Sequence, residues 1–290
     1  MGAEVIAEEL KQSSLERARI LLEAVRADKG GPPLLRFDLG TVYELLDRHE
    51  RAAEVLEAAL REAPDHPAAT DAYRYLAYAC AKLGRSEAER DAYRAFLGRE
   101  TDDRSRAVAL LNLAEAHMHL GELDEAIAGY RDAMRVAAAI PYLPSVDETG
   151  VLAAWGLAVA QHRAGDVASS LDSARIALQR DGKEALLRNR DRVFFVPDYE
   201  EEWYFAVAAM ARARSSVDAA LAEKHWAAAA AAFGRYASRA TQGRRRADPA
   251  TEDRWLGAAR AHERTCEQER ARAARAMRRT KAARSPEPGP

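Results

Sequence analysis

The strongest constraint on this chain is that it repeats itself. From Pro33, Leu39-Gly40, Tyr43, Ala52, Leu56, Ala59 and Pro64 set a pattern of large and small residues. The register returns from Thr70, with Tyr73, Leu76-Ala77, Cys80, Leu83-Gly84, Tyr93 and Phe96. It returns again from Ala107, with Leu110, Leu113-Ala114, His117, Leu120-Gly121, Ala126, Tyr130 and Ala133. A fourth copy from Val151 carries Leu157-Ala158, Gly165, Ser170, Ala174 and Ala177. A fifth, stretched by an insert, holds Tyr204, Val207-Ala208 and Ala211, then Ala229, Phe233 and Tyr236. Successive starts lie 37, 37, 44 and 50 residues apart, so the copies carry inserts and do not form a uniform array.

The spacing carries its own physics. Two antiparallel helices approach to about 8–10 Å only where small side chains meet, which sets Gly40, Ala77, Ala114 and Ala158 against Ala52, Ala126 and Ser170. In the second copy the partner position holds Glu89 instead of a small residue. Large residues at helical spacing fill the seams, and Gly84, Gly121 and Gly165 fall at the breaks between helices, where a left-handed residue ends a helix at little cost. One pair cannot cover its own apolar face, so stability comes from stacking neighbours.

These residues resemble the tetratricopeptide repeat, a helix–turn–helix unit of 34 residues; Arg36 departs from it, standing where the family has a large apolar residue. The resemblance implies an all-α, right-handed α-solenoid of antiparallel pairs. The expected organisation is a capping helix in residues 1–32 and an array over 33–242, with units near 33–66, 70–103, 107–140, 151–184 and 201–242. A basic helix over 243–284 and a disordered tail at 285–290 follow. Helix starts are expected at Ser13, Ser86 and Ser145, each with Glu three residues on, and at Asp198. Residues 141–150 and 183–199 read as loops, the latter with the apolar run Val193–Val196.

In this family the first helices line a concave face, with outward positions four residues apart. Here those positions hold Phe37 and Thr41, Arg74 and Tyr78, Leu111 and Glu115, Trp155 and Val159, and Phe205 and Ala209, with Lys82, Met118, His162 and Arg212 nearby. An apolar surface with a few charges suits an amphipathic helix or an extended peptide of a partner protein. The alternative is that the chain's own segments cover it. The family's clamp for carboxylate tails needs Lys and Asn where this chain has Phe37, Thr41 and Tyr78, which argues against that ligand.

Charge divides the chain. Residues 1–240 carry 31 basic and 39 acidic side chains, and residues 241–290 carry 13 and seven. Arg270, Arg272, Arg275, Arg278, Arg279, Lys281 and Arg284 form a run without an acid. Such a run fits a solvated helix end, an acidic protein, or nucleic acid or anionic lipid. No aromatic interleaves with it as a stacking platform, and its apolar face is too small for membrane insertion. Self-association through the array ends is a further expectation.

No phosphate cradle, nucleophile elbow or metal-ligand spacing occurs, and His117 and His119 point about 200° apart on a helix. No catalytic, cofactor-binding or metal-binding residue is therefore expected, and the chain reads as a non-enzymatic adaptor. His117 reads as a structural histidine, Cys80 as core and Cys266 as exposed. The acidic N-terminal stretch lacks the order of a secretory signal, and two distant cysteines make no disulfide framework, so a cytoplasmic location is expected.

Overall fold

The computed structural model describes residues 3–27, 32–140, 144–189, 193, 195–244 and 253–284. Among them are twelve α-helices and no strand, in two compact units that divide between Ile140 and Pro141.

The first unit opens with α1 (Ala3–Ala27), followed by three pairs: α2 (Pro33–Leu45) with α3 (His49–Glu62), α4 (Ala69–Lys82) with α5 (Ser86–Leu97), and α6 (Asp103–Leu120) with α7 (Leu123–Ala139). Each helix packs on the next, and α2 also meets α4. The helix α1 caps the array: Leu22 packs on its core, Tyr43 donates a hydrogen bond to Glu23, and Arg48 reaches Glu16 at 2.5 Å. Arg36 is no misfit, since it forms an ion pair with Glu62. The second unit contains α8 (Pro144–Arg163) with α9 (Val167–Arg180), α10 (Glu201–Ser215) with α11 (Ala219–Arg244), and α12 (Leu256–Arg284) packed on α11.

The small-residue crossings are buried as expected; Ala52, Ala77, Ala114, Ala126, Ala158 and Ser170 have no exposed surface. Gly40 is tightest, since an added Cβ would lie 2.5 Å from the Leu56 side chain. The inter-helix turn takes a left-handed residue in four pairs: Asp47 in the first, then Gly84, Gly121 and Gly165 with φ between 68° and 87°.

Helix starts differ from the sequence reading. Ser13 lies inside α1 and Ser145 inside α8, because both helices begin earlier. Ser86 is the first residue of α5 but makes no capping bond, while Asp198 opens a short 3-10 turn ahead of α10. Caps form at Asp102, accepting from Ser105 N at 2.8 Å, at Asp166, accepting from Ser169 N at 3.0 Å, and at Asp218 ahead of α11, accepting from Ala220 N at 2.8 Å. Of the apolar run after α9, Phe195 is buried edge-on against Tyr204, and Phe194 lies outside the described residues. The tail at 285–290 also lies outside them.

Candidate functional site

The first helices of the first unit carry the proposed partner face. On α2, Thr41 is half-buried, but Phe37 is 2% exposed, its ring 5.3 Å from His66 in the turn after α3. Phe37 is therefore a core residue. On α4, Arg74 and Tyr78 stay half-buried. The Arg74 guanidinium lies 4.5 Å from the centre of the Tyr75 ring and donates to Asp71 at 2.8 Å. Tyr75, Tyr78 and the buried Tyr93 of α5 form an edge-to-face ladder, with centroids 6.4 and 6.2 Å apart. Leu111 and Glu115 are half-buried on α6, whereas Met118 is sealed.

Glu89 alters the chemistry here. It takes the crossing position that Ala52, Ala126 and Ser170 hold in other pairs, and it is 4% exposed. Burial and the nearby charge of Glu115 push its carboxyl up to about 9, so it is protonated at neutral pH. Beside it, Asn112 Nδ2 donates to Tyr93 Oη at 2.9 Å.

In the second unit most of the expected face is interior. Trp155 has no exposed surface and its indole N–H donates to Asp181 at 3.3 Å, in the segment after α9. Val159 is likewise buried, as are Ala209 and His162. Trp155 and Val159 are thus packing residues, Trp155 with Asp181, just past the end of α9, bonded to its indole. Phe205 stays half-buried beneath the Arg188 guanidinium at 4.4 Å. Arg212 is paired with Glu184 and donates to Gly182 O at 2.7 Å, so its charge is already engaged.

The second unit also holds a polar cluster that the sequence did not disclose. Arg163, with a fully buried side chain, pairs with Glu200 at 2.6 Å and lies 4.6 and 4.9 Å from the ring centres of Trp203 and Trp255. Tyr236 Oη donates among Glu200 at 3.0 Å and Asp253 at 3.0–3.1 Å, and Tyr199 also donates to Asp253. Next to Arg163, His162 accepts from the Trp203 indole at 3.2 Å and meets His262 of α12 with ring centroids 4.2 Å apart. Burial, His262 and Arg163 hold His162 neutral, down at about 3. In the sequence its trace is the polar run Gln161-His162-Arg163 that follows the apolar stretch Val151–Ala160 of α8. The cluster joins α8, α10, α11 and α12 and has the chemistry of a structural core.

On α12, Arg270 reaches Glu223 at 2.7 Å and Arg272 reaches Glu269 at 2.6 Å. Arg275, Arg278 and Arg279 are exposed with no ion pair among the described residues, and the side chains of Lys281 and Arg284 lie outside that set. Cys266 is buried rather than exposed, because it faces the packed side of α12; burial pushes it and Cys80 up to about 12. His117 is buried and bonded to Glu122 through Nδ1 at 2.5 Å. Among the described residues no group of three metal-ligating side chains converges, and no helix is long and apolar enough to cross a membrane.

Comparison with known proteins agrees with this geometry. The tetratricopeptide repeat family model matches residues 35–66 and 107–140. No curated protein matches the sequence. Among solved structures, the chain is similar to a signal transduction ATPase with numerous domains that carries a tetratricopeptide repeat sensor, from Pyrococcus horikoshii. The TM-score is 0.54 at 16% identity, covering 90% of this chain and 41% of that one. It is also similar to MamA, with a TM-score of 0.49 at 18% identity over 62% of this chain and 89% of that one. At these identities the likeness is one of fold. The family model falls on the first and third pairs, so the chain carries tetratricopeptide repeats there, and the other pairs keep a similar register.

Proposed function

We propose that this protein is a non-enzymatic adaptor that holds a helical or extended segment of a partner protein against the first helices of its first unit. The observation that carries the reading is Tyr78 and Leu111, left half-exposed at outward register positions of adjacent pairs, with Thr41, Arg74 and Glu115 around them. A regular solenoid buries its large residues in the seams, so an aromatic and a leucine outside them supply anchoring area, and the charges supply orientation. In the second unit Phe205 stays half-buried, and Arg212, like Arg74, is already paired within the chain.

The test is affinity capture from the native host's lysate with the full chain and a Tyr78→Ala/Leu111→Ala variant of unchanged helicity. A partner lost only with the variant supports the groove; an identical captured set overturns it. A second reading rests on Arg275, Arg278 and Arg279, exposed and without ion pairs among the described residues: the end of α12 binds nucleic acid or anionic lipid while the repeats brace it. A chain ending at Glu269 separates the two, and phosphate binding is expected to weaken steeply with salt.

A further inference from the structure

Where α12 packs on α11, the two helices leave a polar cleft of about 470 Å³. From α11 come Ser238, Thr241 and Gln242, on one face by their helical spacing; from α12 come Arg260, Glu263 and Arg264. Arg260 and Arg264 are exposed and one turn apart, where like charges repel, and neither has an acid partner among the described residues. The acids within reach are turned elsewhere. Glu263 lies against α11, its Oε1 2.8 Å from where a Cβ on Gly234 would stand, and Glu267 pairs with Arg270 at 3.5 Å. Thr241 donates to Ala237 O at 2.7 Å and accepts from Arg260 Nη2 at 3.2 Å, which ties that guanidinium across from α12 to α11.

The donors left over converge on the cleft. The other N–H groups of Arg260, every N–H of Arg264 and the Ser238 hydroxyl hydrogen have no acceptor among the described residues; Ser238 only accepts, from Gln242 Nε2 at 3.4 Å. A carboxylate is satisfied by one guanidinium fork, whereas a phosphoryl group has three oxygens and takes two forks and a hydroxyl. We propose that this cleft binds a phosphoryl group, free or as a monoester, through Arg260, Arg264 and Ser238. Thr241 positions Arg260, and Glu263 opposes the ligand's charge. The site lies wholly in the second unit and three turns before Arg275, so it stands apart from both the groove and the end of α12.

Fluorescence anisotropy on the full chain at about 0.15 M salt tests this with a short labelled peptide, phosphoserine between alanines, and its unphosphorylated twin. The phosphopeptide is expected to bind with a dissociation constant below about 1 mM, and the twin at least about tenfold more weakly. Arg260→Gln and Arg264→Gln are each expected to weaken it by about tenfold, and Glu263→Gln to tighten it by about threefold. Thr241→Val is expected to weaken binding and Thr241→Ser to keep it, since only the hydroxyl holds Arg260. Arg272→Gln removes the same charge two turns further along α12 and is expected to change the affinity by less than about twofold. Inorganic phosphate is expected to displace the phosphopeptide where chloride at matched ionic strength does not. Half-displacement below the peptide's own dissociation constant marks free phosphate as the ligand, and above it a phosphorylated side chain. Equal binding of the two peptides, or a dissociation constant above about 1 mM, overturns the proposal. So does an Arg272→Gln loss as large as that of Arg264→Gln, which would assign the binding to the diffuse charge of α12.

Discussion

In the first unit the polar residue forced into a helix crossing is an acid, Glu89, whose carboxyl is raised by burial and by the nearby Glu115. In the second the interior holds a base, Arg163, closed in by two tryptophans and answered by Glu200, with Tyr236 and Asp253 completing the network. Arg163 has a counter-charge in Glu200 and two ring faces, while its Nε and Nη1 find no hydrogen-bond partner among the described residues, and the cluster joins the helices that supply it. The contrast is between a buried cation held by one ion pair and two ring faces and a buried acid raised by desolvation.

The largest expected effect breaks the sealed cluster. Glu200→Ala leaves the Arg163 charge buried and unpaired, which is expected to lower stability by about 3–5 kcal/mol. All four tryptophans lie beyond residue 150, so urea unfolding followed by tryptophan fluorescence reads this unit alone. A loss under about 1 kcal/mol would show that the cluster contributes little to holding α8, α10 and α11 together.

Acid is expected to act next. His162 is held near 3 in the folded state against an ordinary value of 6.5, so the unfolded chain binds the proton first as pH falls. Its contribution is complete above pH 6.5 and declines below that value, by at most about 1.4 kcal/mol per unit. The fluorescence transition is expected to weaken from pH 6.5 to 4. His162→Phe, less stable at pH 7 because the Trp203 indole loses its acceptor, is expected to show a shallower acid slope.

The smallest effect has the opposite sign and belongs to the first unit. The folded-state value of Glu89, raised to about 9, makes its contribution most favourable below the ordinary 4.5 and progressively less so as pH climbs toward 9. Glu89→Gln is expected to gain about 1–3 kcal/mol at pH 8 and almost nothing at pH 5, read by far-UV circular dichroism during urea unfolding. Equal stabilities at both pH values would mean that the carboxyl is solvated.

The fold was legible because packing repeats: a small residue at each crossing, a left-handed residue at each turn and large residues in each seam recur at fixed offsets. What the offsets do not encode is cover. Phe37 is closed off by His66 and Trp155 by the segment holding Asp181, and neither cover belongs to the periodic pattern, so outward register did not mean exposure. The cluster around Arg163 was hidden because its members come from four helices far apart in the chain. Glu89 was visible from the start, as a charged residue in a column of alanine and serine. Its meaning needed Glu115, whose approach depends on how α5 meets α6.

Cys80 and Cys266, buried and held near 12, are almost entirely thiol at neutral pH. The protein is thus a ready background for site-specific conjugation. A single cysteine at Thr41, on the rim of the proposed groove, would take a maleimide spin label or dye well ahead of the native pair. Distances to an arriving peptide then become measurable without first stripping the sequence of its own sulfur.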